Sequence, residues 1–414
     1  MTVHAPNDLA PHVLDTAAAI ASARRATVAD RYAADSLIVE WLDLTQLDAI
    51  IDDWRDLAGR TLVPNAFYEP AFALAAAPAF GQDAGALLVW SGSLPRKLLG
   101  LFPARIVKRR YGLKLLLLLG WTHPYAPLGT PLVDREAAEP VITAWLAHLG
   151  KNTALPGLVL LPFLPDAGPF AAALNAILRR TQMPSAEFNP HTRALLAPSP
   201  ARSGYLERAL GGRRYRELRR TVRRLGEAGS LSYTTVTELD AIAAALDEFL
   251  ALEAAGWKGE AGTAAACDAA TLDFIKSAVA GLAGENKVAI DRLVLDGRLA
   301  AAGITLRSGD TAWFWKIAYD ETLARYSPGV MLISLVTERL AADTSIVFAD
   351  SCATADHAVI NRTWSERLAL HDLLIAVRPQ AHFSRAVRLE RLRGKAMDAA
   401  KRLRGFLRRS TGRR

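Results

Sequence analysis

Thr311-Ala-Trp-Phe-Trp-Lys-Ile-Ala-Tyr319, then Arg325-Tyr-Ser-Pro-Gly329, Val330-Met-Leu-Ile-Ser-Leu-Val-Thr-Glu-Arg-Leu340 and Ser345-Ile-Val-Phe-Ala349, is the stretch whose reading decides the fold. The first run is aromatic and β-branched and short enough for one strand. The long, mostly apolar run predicts a well-buried helix, with Ser327 at the N-cap and Pro328 at the first helical position. Gly329 leaves the backbone open to close approach. A helix start of this kind presents unpaired N–H groups and the positive end of the dipole, which suits a phosphate or pyrophosphate, although an ordinary buried helix begins the same way. The following strand ends in the polar cluster Asp350-Ser-Cys-Ala-Thr-Ala-Asp-His357. A strand–helix–strand unit forms a parallel pair with a right-handed crossover. The helix start and the polar cluster therefore need not be close, and a long ligand such as coenzyme A would bridge them.

The chain has 414 residues, 51% of them hydrophobic, enough for two domains with proper cores. Two cysteines, Cys267 and Cys352, exclude a disulfide framework and a Cys-rich zinc site, and they suit a reducing compartment. Arg24-Arg25 follow the Ala-rich stretch near the start rather than preceding it, the wrong order for a secretory signal. The most apolar run, Leu113-Lys-Leu-Leu-Leu-Leu-Leu-Gly-Trp121, falls short of the ~20 residues a spanning helix needs and predicts a buried strand.

The net charge of +8 is unevenly placed. From Arg385 to Arg414 twelve Lys or Arg stand against Glu390 and Asp398, a local +10, so residues 1–384 sum to −2. Leu389, Leu392, Met397, Leu403, Phe406 and Leu407 make this tail amphipathic, while Gly394 and Gly405 weaken it as one continuous helix. Such a tail is either a solvated, solubilising segment or a contact for anionic lipid or nucleic acid. Aromatic residues are almost absent from it, which removes base-stacking platforms and favours a membrane surface. The expected location is cytoplasmic, peripheral at the inner face of the membrane.

Four segments follow: a flexible N-terminal segment 1–36, a domain 37–200, a domain 201–384 and the basic tail 385–414. The cut near residue 200 rests on the linker-like Ala197-Pro-Ser-Pro-Ala-Arg-Ser-Gly204. The first block offers a strand at 37–42, helices at 47–57 and after the loop 63–70, a hairpin at 86–107, the leucine strand, a helix at 137–149, a strand at 158–163 and a helix at 170–180. The second offers a strand at 230–236, helices at 238–254 and 268–282, a hairpin at 288–306 and the strand–helix–strand stretch. Strand, two helices, hairpin, strand, helix, strand occurs twice, which suggests duplication.

Phe249-Leu-Ala-Leu-Glu-Ala-Ala-Gly-Trp-Lys-Gly-Glu-Ala-Gly-Thr-Ala264, Lys316-Ile-Ala-Tyr-Asp-Glu321, Ser327-Pro-Gly329, Asp350-Ser-Cys352 and Asp356-His357 resemble the GNAT acyltransferase superfamily. The resemblance is to the CelD-like acetyltransferase branch associated with cellulose biosynthesis, and the tandem layout resembles FemAB-type transferases. It covers residues 205–378 by motif and 37–196 by layout. It implies an α/β chain of two tandem GNAT-like domains, each a mixed central sheet flanked by helices, with a basic helical C-terminal tail. It also implies acetyl-CoA or another acyl-CoA as co-substrate, its pyrophosphate at the helix start formed by Arg325, Ser327, Pro328, Gly329 and Val330. The common GNAT loop carries two closely spaced small residues after its Arg or Gln, whereas Arg325 is followed only by Gly329 in a shifted position.

Acyl transfer to an amine needs a neutral amine, a polarised carbonyl and an acid for the departing thiolate. Asp350 and His357, past a strand end, are candidates for the base, or else a turn cap and a surface residue. Tyr319 and Tyr326 are candidate acids, with aromatic packing the alternative for Tyr319. A Cys352–His357 thiol nucleophile competes with an inert buried thiol. Trp257 and Lys258 lie where GNAT-like folds line the acceptor site. In Arg213-Arg-Tyr-Arg-Glu-Leu-Arg-Arg-Thr-Val-Arg-Arg-Leu225, an apolar stripe leaves Arg216 and Arg220 outward, to grip an anionic acceptor or simply to be solvated. No P-loop, Rossmann fingerprint, HExxH or paired-Cys motif occurs, so no metal is expected. The expected acceptor is a small amine, an amino sugar or an envelope or polysaccharide precursor. The alternatives are FemAB-like transfer from aminoacyl-tRNA, the only route in which nucleic acid is a partner, and a non-catalytic membrane-associated scaffold.

Overall fold

The computed structural model describes residues 36–198, 202–357, 359–379 and 382–411; most of the expected N-terminal segment, 1–35, and part of the expected linker lie outside them. The strands are β1 Ile38–Asp43, β2 Ala84–Trp90, β3 Leu98–Arg110, β4 Leu113–Gly120, β5 Leu132–Val133, β6 Leu158–Pro165, β7 Ser185–Leu196, β8 Leu231–Val236, β9 Val288–Leu295, β10 Arg298–Ser308, β11 Thr311–Tyr319, β12 Phe348–Asp350 and β13 Glu366–Ala376. The longer helices are α1 Ile51–Gly59, α2 Pro70–Phe80, α3 Ala138–Lys151, α4 Pro169–Thr181, α5 Tyr205–Glu227, α6 Leu239–Ala255, α7 Ala269–Gly284, α8 Pro328–Ala342 and α9 Phe383–Thr411. The helix expected from residue 47 opens as a 3-10 turn, Leu44–Ile50, before α1. α5 is interrupted at Gly211, whose φ of 73° no ordinary helical residue adopts. α9 runs unbroken through Gly394 and Gly405, the two glycines expected to weaken it as one continuous helix.

All strands join one sheet in the order β1-β2-β3-β4-β6-β13-β7-β12-β11-β10-β9-β8, with β5 paired to β3. The order is palindromic. In one half β4 and β6 are parallel, and in the other β11 and β12 are parallel. At the centre the last strand of each half has crossed over: β13 pairs with β6, and β7 pairs with β12. β7 and β13 pair with each other over nearly their whole length. Neither strand was identified in sequence. The cut near residue 200 separates β7 from α5 along the chain, yet in space β7 belongs to the sheet edge of β12.

The largest core spans both halves, joining Trp54, Phe67 and Phe72 to Phe249, Phe274 and Trp313. α2 packs on α7 so closely that a Cβ at Gly281 would lie 2.9 Å from the Cβ of Ala71. Smaller cores lie under α3 and α4 on one side and under α5 and α8 on the other. A mixed sheet with helices on its faces is the expected fold class, in two copies.

Candidate active site

β11 and β12 pair only at Thr311↔Phe348, Ala312↔Ala349 and Trp313↔Asp350. Beyond that the strands part, and the cause is local. Against β10, Phe314 faces Thr305 and Lys316 faces Ile304, so Trp315 is an extra, bulged residue that bends β11 away from its neighbour. The opening holds a cavity of 590 Å3 lined by Phe314 to Ile317 and Tyr319 of β11, Ile333 of α8, Ser351 to Ala353, His357, Trp257, Lys258 and the loop of Pro124, Tyr125 and Pro127. Because the strands are parallel, the start of α8 and the cluster after Asp350 lie at the same end of the pair. The sequence did not require them to be close, and the geometry brings them near: Tyr319, which packs on Gly329, shares one cavity with His357.

The cavity is charged on one wall. Glu253 of α6 has a side chain only 1% exposed, and it receives Lys258 Nζ and Lys316 Nζ, each at 2.9 Å. Its other oxygen accepts the Ala265 N–H at 3.1 Å. Burial pulls the carboxyl up, and the two ammonium groups more than offset it, holding Glu253 below the ordinary carboxylate range. Burial and the nearby Lys258 lower Lys316, against the pull of Glu253. Two lysines thus share one carboxylate, leaving positive charge at the cavity wall. The Lys316 ammonium also lies 5.0 Å from the Tyr125 ring centre, a cation–π contact across the two halves.

The sequence candidates divide. Tyr319, Trp257, Lys258 and His357 line the cavity. Trp257 is 53% exposed, its N–H held by Glu321 at 2.7 Å. His357 Nδ1 accepts the Ile360 N–H at 3.3 Å, so the neutral ring carries its proton on Nε2 and presents a donor. Asp350 does not face the cavity. It is 1% exposed, ion-paired to Arg193 of β7, and its second oxygen accepts the Cys352 N–H at 3.0 Å. Burial and the Asp350 carboxylate raise the Cys352 thiol well above the ordinary value, the opposite of what a thiolate nucleophile needs. Tyr326 lies outside the cavity wall, with the Arg325 guanidinium 4.6 Å from its ring centre. Arg216 and Arg220 are exposed on α5, away from the cavity.

For acyl-CoA the fit is good in the cleft and narrower at the helix. Phe314, Ile333, Val359 and Ile360 give the cavity an apolar wall suited to a slender thioester arm. Ser327 sits at the N-cap in the left-handed region (φ 53°) without a side-chain cap, and its carbonyl takes the N–H groups of Val330 and Met331 at 3.0 and 3.2 Å. A Cβ on Gly329 would lie 3.0 Å from Tyr319 Cδ1, so the group approaching this glycine is the tyrosine ring. The cavity wall meets α8 at Ile333, one turn beyond Ser327, Pro328, Gly329 and Val330. Sequence reasoning assigned no role to Glu253, Lys316 or Arg193, whereas the loop Trp121-Thr-His-Pro-Tyr125 reads in sequence as facing the acceptor cleft, and Tyr125 does line the cavity. One signal was present: Glu253 continues the stripe Ile242, Leu246, Phe249, Leu250, a carboxylate on the buried face of a helix.

Residues 212–350 match the family model described as an acetyltransferase (GNAT) domain. No curated protein matches the chain. Among solved structures, FemX is similar, with 8% identity, covering 81% of this chain and 96% of its own at a TM-score of 0.51. The C-terminal domain of a putative lysylphosphatidylglycerol synthetase from Agrobacterium fabrum is similar at 12% identity, covering 82% of this chain and 95% of its own, with a TM-score of 0.50. At these identities the likeness is one of fold.

Proposed function

From a chain whose residues 212–350 carry a GNAT acetyltransferase domain, we propose an acyltransferase that moves an acetyl or longer acyl group from coenzyme A to an amine. The observation that carries this reading is the bulge at Trp315, which opens β11 from β12 over a cavity holding Lys316, Lys258, Tyr319 and His357. Bound acyl-CoA would supply the activated thioester, its arm against Phe314, Ile333 and Val359. The chain supplies donors and charge. Lys316 and Lys258 set positive charge where negative charge develops on the reacting acyl group. The Tyr319 hydroxyl and the His357 Nε2–H are the proton donors that line the cleft, and Tyr319 is the candidate acid for the thiolate. Asp350 is assigned to holding Arg193, and through it the Pro127 carbonyl at 2.8 Å, so that the loop from the other half closes the cavity. The amine then enters unprotonated from solution, past Trp257. An amino sugar or other envelope precursor suits this acceptor side, with Lys258 meeting its anionic groups.

The test is calorimetric titration with acetyl-CoA alongside release of free CoA thiol on an amine panel, for the wild type, Ser327→Glu and Lys316→Met. Acetyl-CoA binding weakened by Ser327→Glu, with kcat/KM lowered roughly 10²–10³-fold by Lys316→Met, is expected. A wild type that neither binds acetyl-CoA nor releases CoA overturns the reading and points to an aminoacyl-tRNA donor or to a scaffold.

A further inference from the structure

Away from the cleft, β3 and β4 run past the rest of the sheet. β4 meets β6 only at Leu118↔Val159 and Leu119↔Leu160, whereas its pairing with β3 continues out to Arg110↔Leu113. The outer half of β4 therefore has β3 as its one strand neighbour, and the two form a projecting hairpin. Its tip, Tyr111-Gly112, has φ of 50° and 79°, the positive pair of a tight two-residue turn. Between Val107↔Leu117 and Arg109↔Lys114 the register slips, so Leu115 and Leu116 stand opposite Lys108. Leu113 and Leu116 are 49% and 51% exposed, against the expectation that the leucine strand is buried throughout. With Tyr111, 44% exposed, they cluster on one hairpin, and it is such clustering that marks an interaction site.

Beside them lies a cavity of 720 Å3 whose wall includes Lys108, Arg109, Lys114, Arg378, His382 and Arg385, with Leu116 and, among the described residues, no acidic side chain. Among the described residues, the side chains of Lys108, Arg109, Lys114 and Arg385 have no ion-pair partner. Arg378 is fixed there by the Asn152 and Leu155 carbonyls at 2.7 and 2.5 Å. α9 is docked on the same hairpin: buried Glu390 accepts Arg110 Nε at 2.6 Å and the Tyr111 hydroxyl at 3.1 Å. Ala386 joins Leu115, Leu117 and Leu158 in a small core. The basic helix is held in place at its first turns, and its Arg385 adds charge to the cavity wall.

We propose that this hairpin and the start of α9 bind the surface of an anionic phospholipid bilayer, phosphate headgroups in the basic cavity and Leu113 and Leu116 at the acyl boundary. Charge complementarity names the phosphate, and the exposed leucines name a bilayer rather than a nucleic acid. The hairpin's exposed aromatic is unsuited to base stacking, since the Arg110 and Arg393 guanidinium groups lie 4.8 and 5.3 Å from the Tyr111 ring centre. The inference is independent of the acyl chemistry.

The test is flotation of the full chain with phosphatidylcholine vesicles, with and without phosphatidylglycerol, for the wild type, Arg109→Glu/Lys114→Glu and Leu116→Ser, each checked for its thermal melt. Binding only to the phosphatidylglycerol vesicles, weakened about tenfold or more by the charge reversal and severalfold by Leu116→Ser, is expected. Three outcomes overturn the proposal. One is vesicle binding that ignores the charge reversal. A second is saturable binding of glycerol phosphate or inorganic phosphate without vesicle binding, which makes the ligand a soluble anion. The third is capture of a labelled RNA oligonucleotide, lost in the charge-reversal variant, by a chain that leaves vesicles unbound.

Discussion

In the N-terminal half β4 and β6 touch at Leu118↔Val159 and Leu119↔Leu160, and in the C-terminal half β11 and β12 touch at three pairs. Both pairs are parallel and both strands then diverge, and where they part after the pairing the second opens onto a cavity while the first is covered. Two differences account for it. After β11 the chain turns through a 3-10 segment into α8, whereas after β4 it folds back over the opening as the loop 121–131, where Gly129 donates to the Phe163 carbonyl at 3.4 Å. The bulges also differ: in the C-terminal half the extra residue is Trp315, next to the parallel pair, and in the N-terminal half the slip is out at Lys108, on the projecting hairpin. One layout thus serves an open cleft in one copy and a filled wedge in the other. The filled copy contributes Tyr125, whose carbonyl accepts Trp315 Nε1 at 2.8 Å, as part of the wall of the open one.

The contrast can be broken at its joints. Arg193→Ala leaves the Asp350 carboxylate buried and unpaired where β7 of one half meets β12 of the other. A loss of about 3–5 kcal/mol in chemical denaturation is expected. Arg193→Met with Asp350→Asn should recover most of it, and acyl transfer by that double variant would show that Asp350 is no base.

His123, in the loop that fills the first wedge, stacks on Phe80 at 4.5 Å with both ring nitrogens buried and, among the described residues, unbonded. Burial lowers it from 6.5 to about 3. The unfolded chain takes up this proton from about pH 6.5 downward and the folded chain does not, so stability is full above pH 6.5 and falls toward pH 3. His123→Phe should flatten melting temperature against pH in that window, a difference of about 3 kcal/mol by pH 4.

Two glycines, one in the loop 121–131 and one in the first turn of α8, sharpen the comparison. A Cβ at Gly129 would stand 2.0 Å from the Pro162 carbonyl oxygen, a backbone atom that cannot step aside. Gly129→Ala should cost about 2 kcal/mol of stability. At Gly329 the obstacle is the near edge of the Tyr319 ring, Cδ1 at 3.0 Å, which must give by only a few tenths of an ångström, so Gly329→Ala should cost about 1 kcal/mol while displacing that ring and raising the KM for acyl-CoA. Equal losses at both glycines would contradict a filled wedge beside an open one.

Much of this was legible in sequence. The alternation of strands and helices, the hairpins, the duplication and the buried helix after Arg325 follow from apolar periodicity and turn residues, which act over a few neighbours. The same local signals put Trp257, Lys258, Tyr319 and His357 at strand ends and loops, where a cleft can use them. Periodicity could not tell that β7 and β13 would exchange partners across the centre, because a strand's pattern records burial and not the identity of its neighbour. Nor could it place Asp350 against Arg193, 157 positions away, or bring Lys258 and Lys316 to one buried carboxylate. Those pairings are long-range, set by the register of strands and the bulge at Trp315, so only the tertiary structure decided which charges meet, which half opens, and which leucines of one apolar strand remain in water.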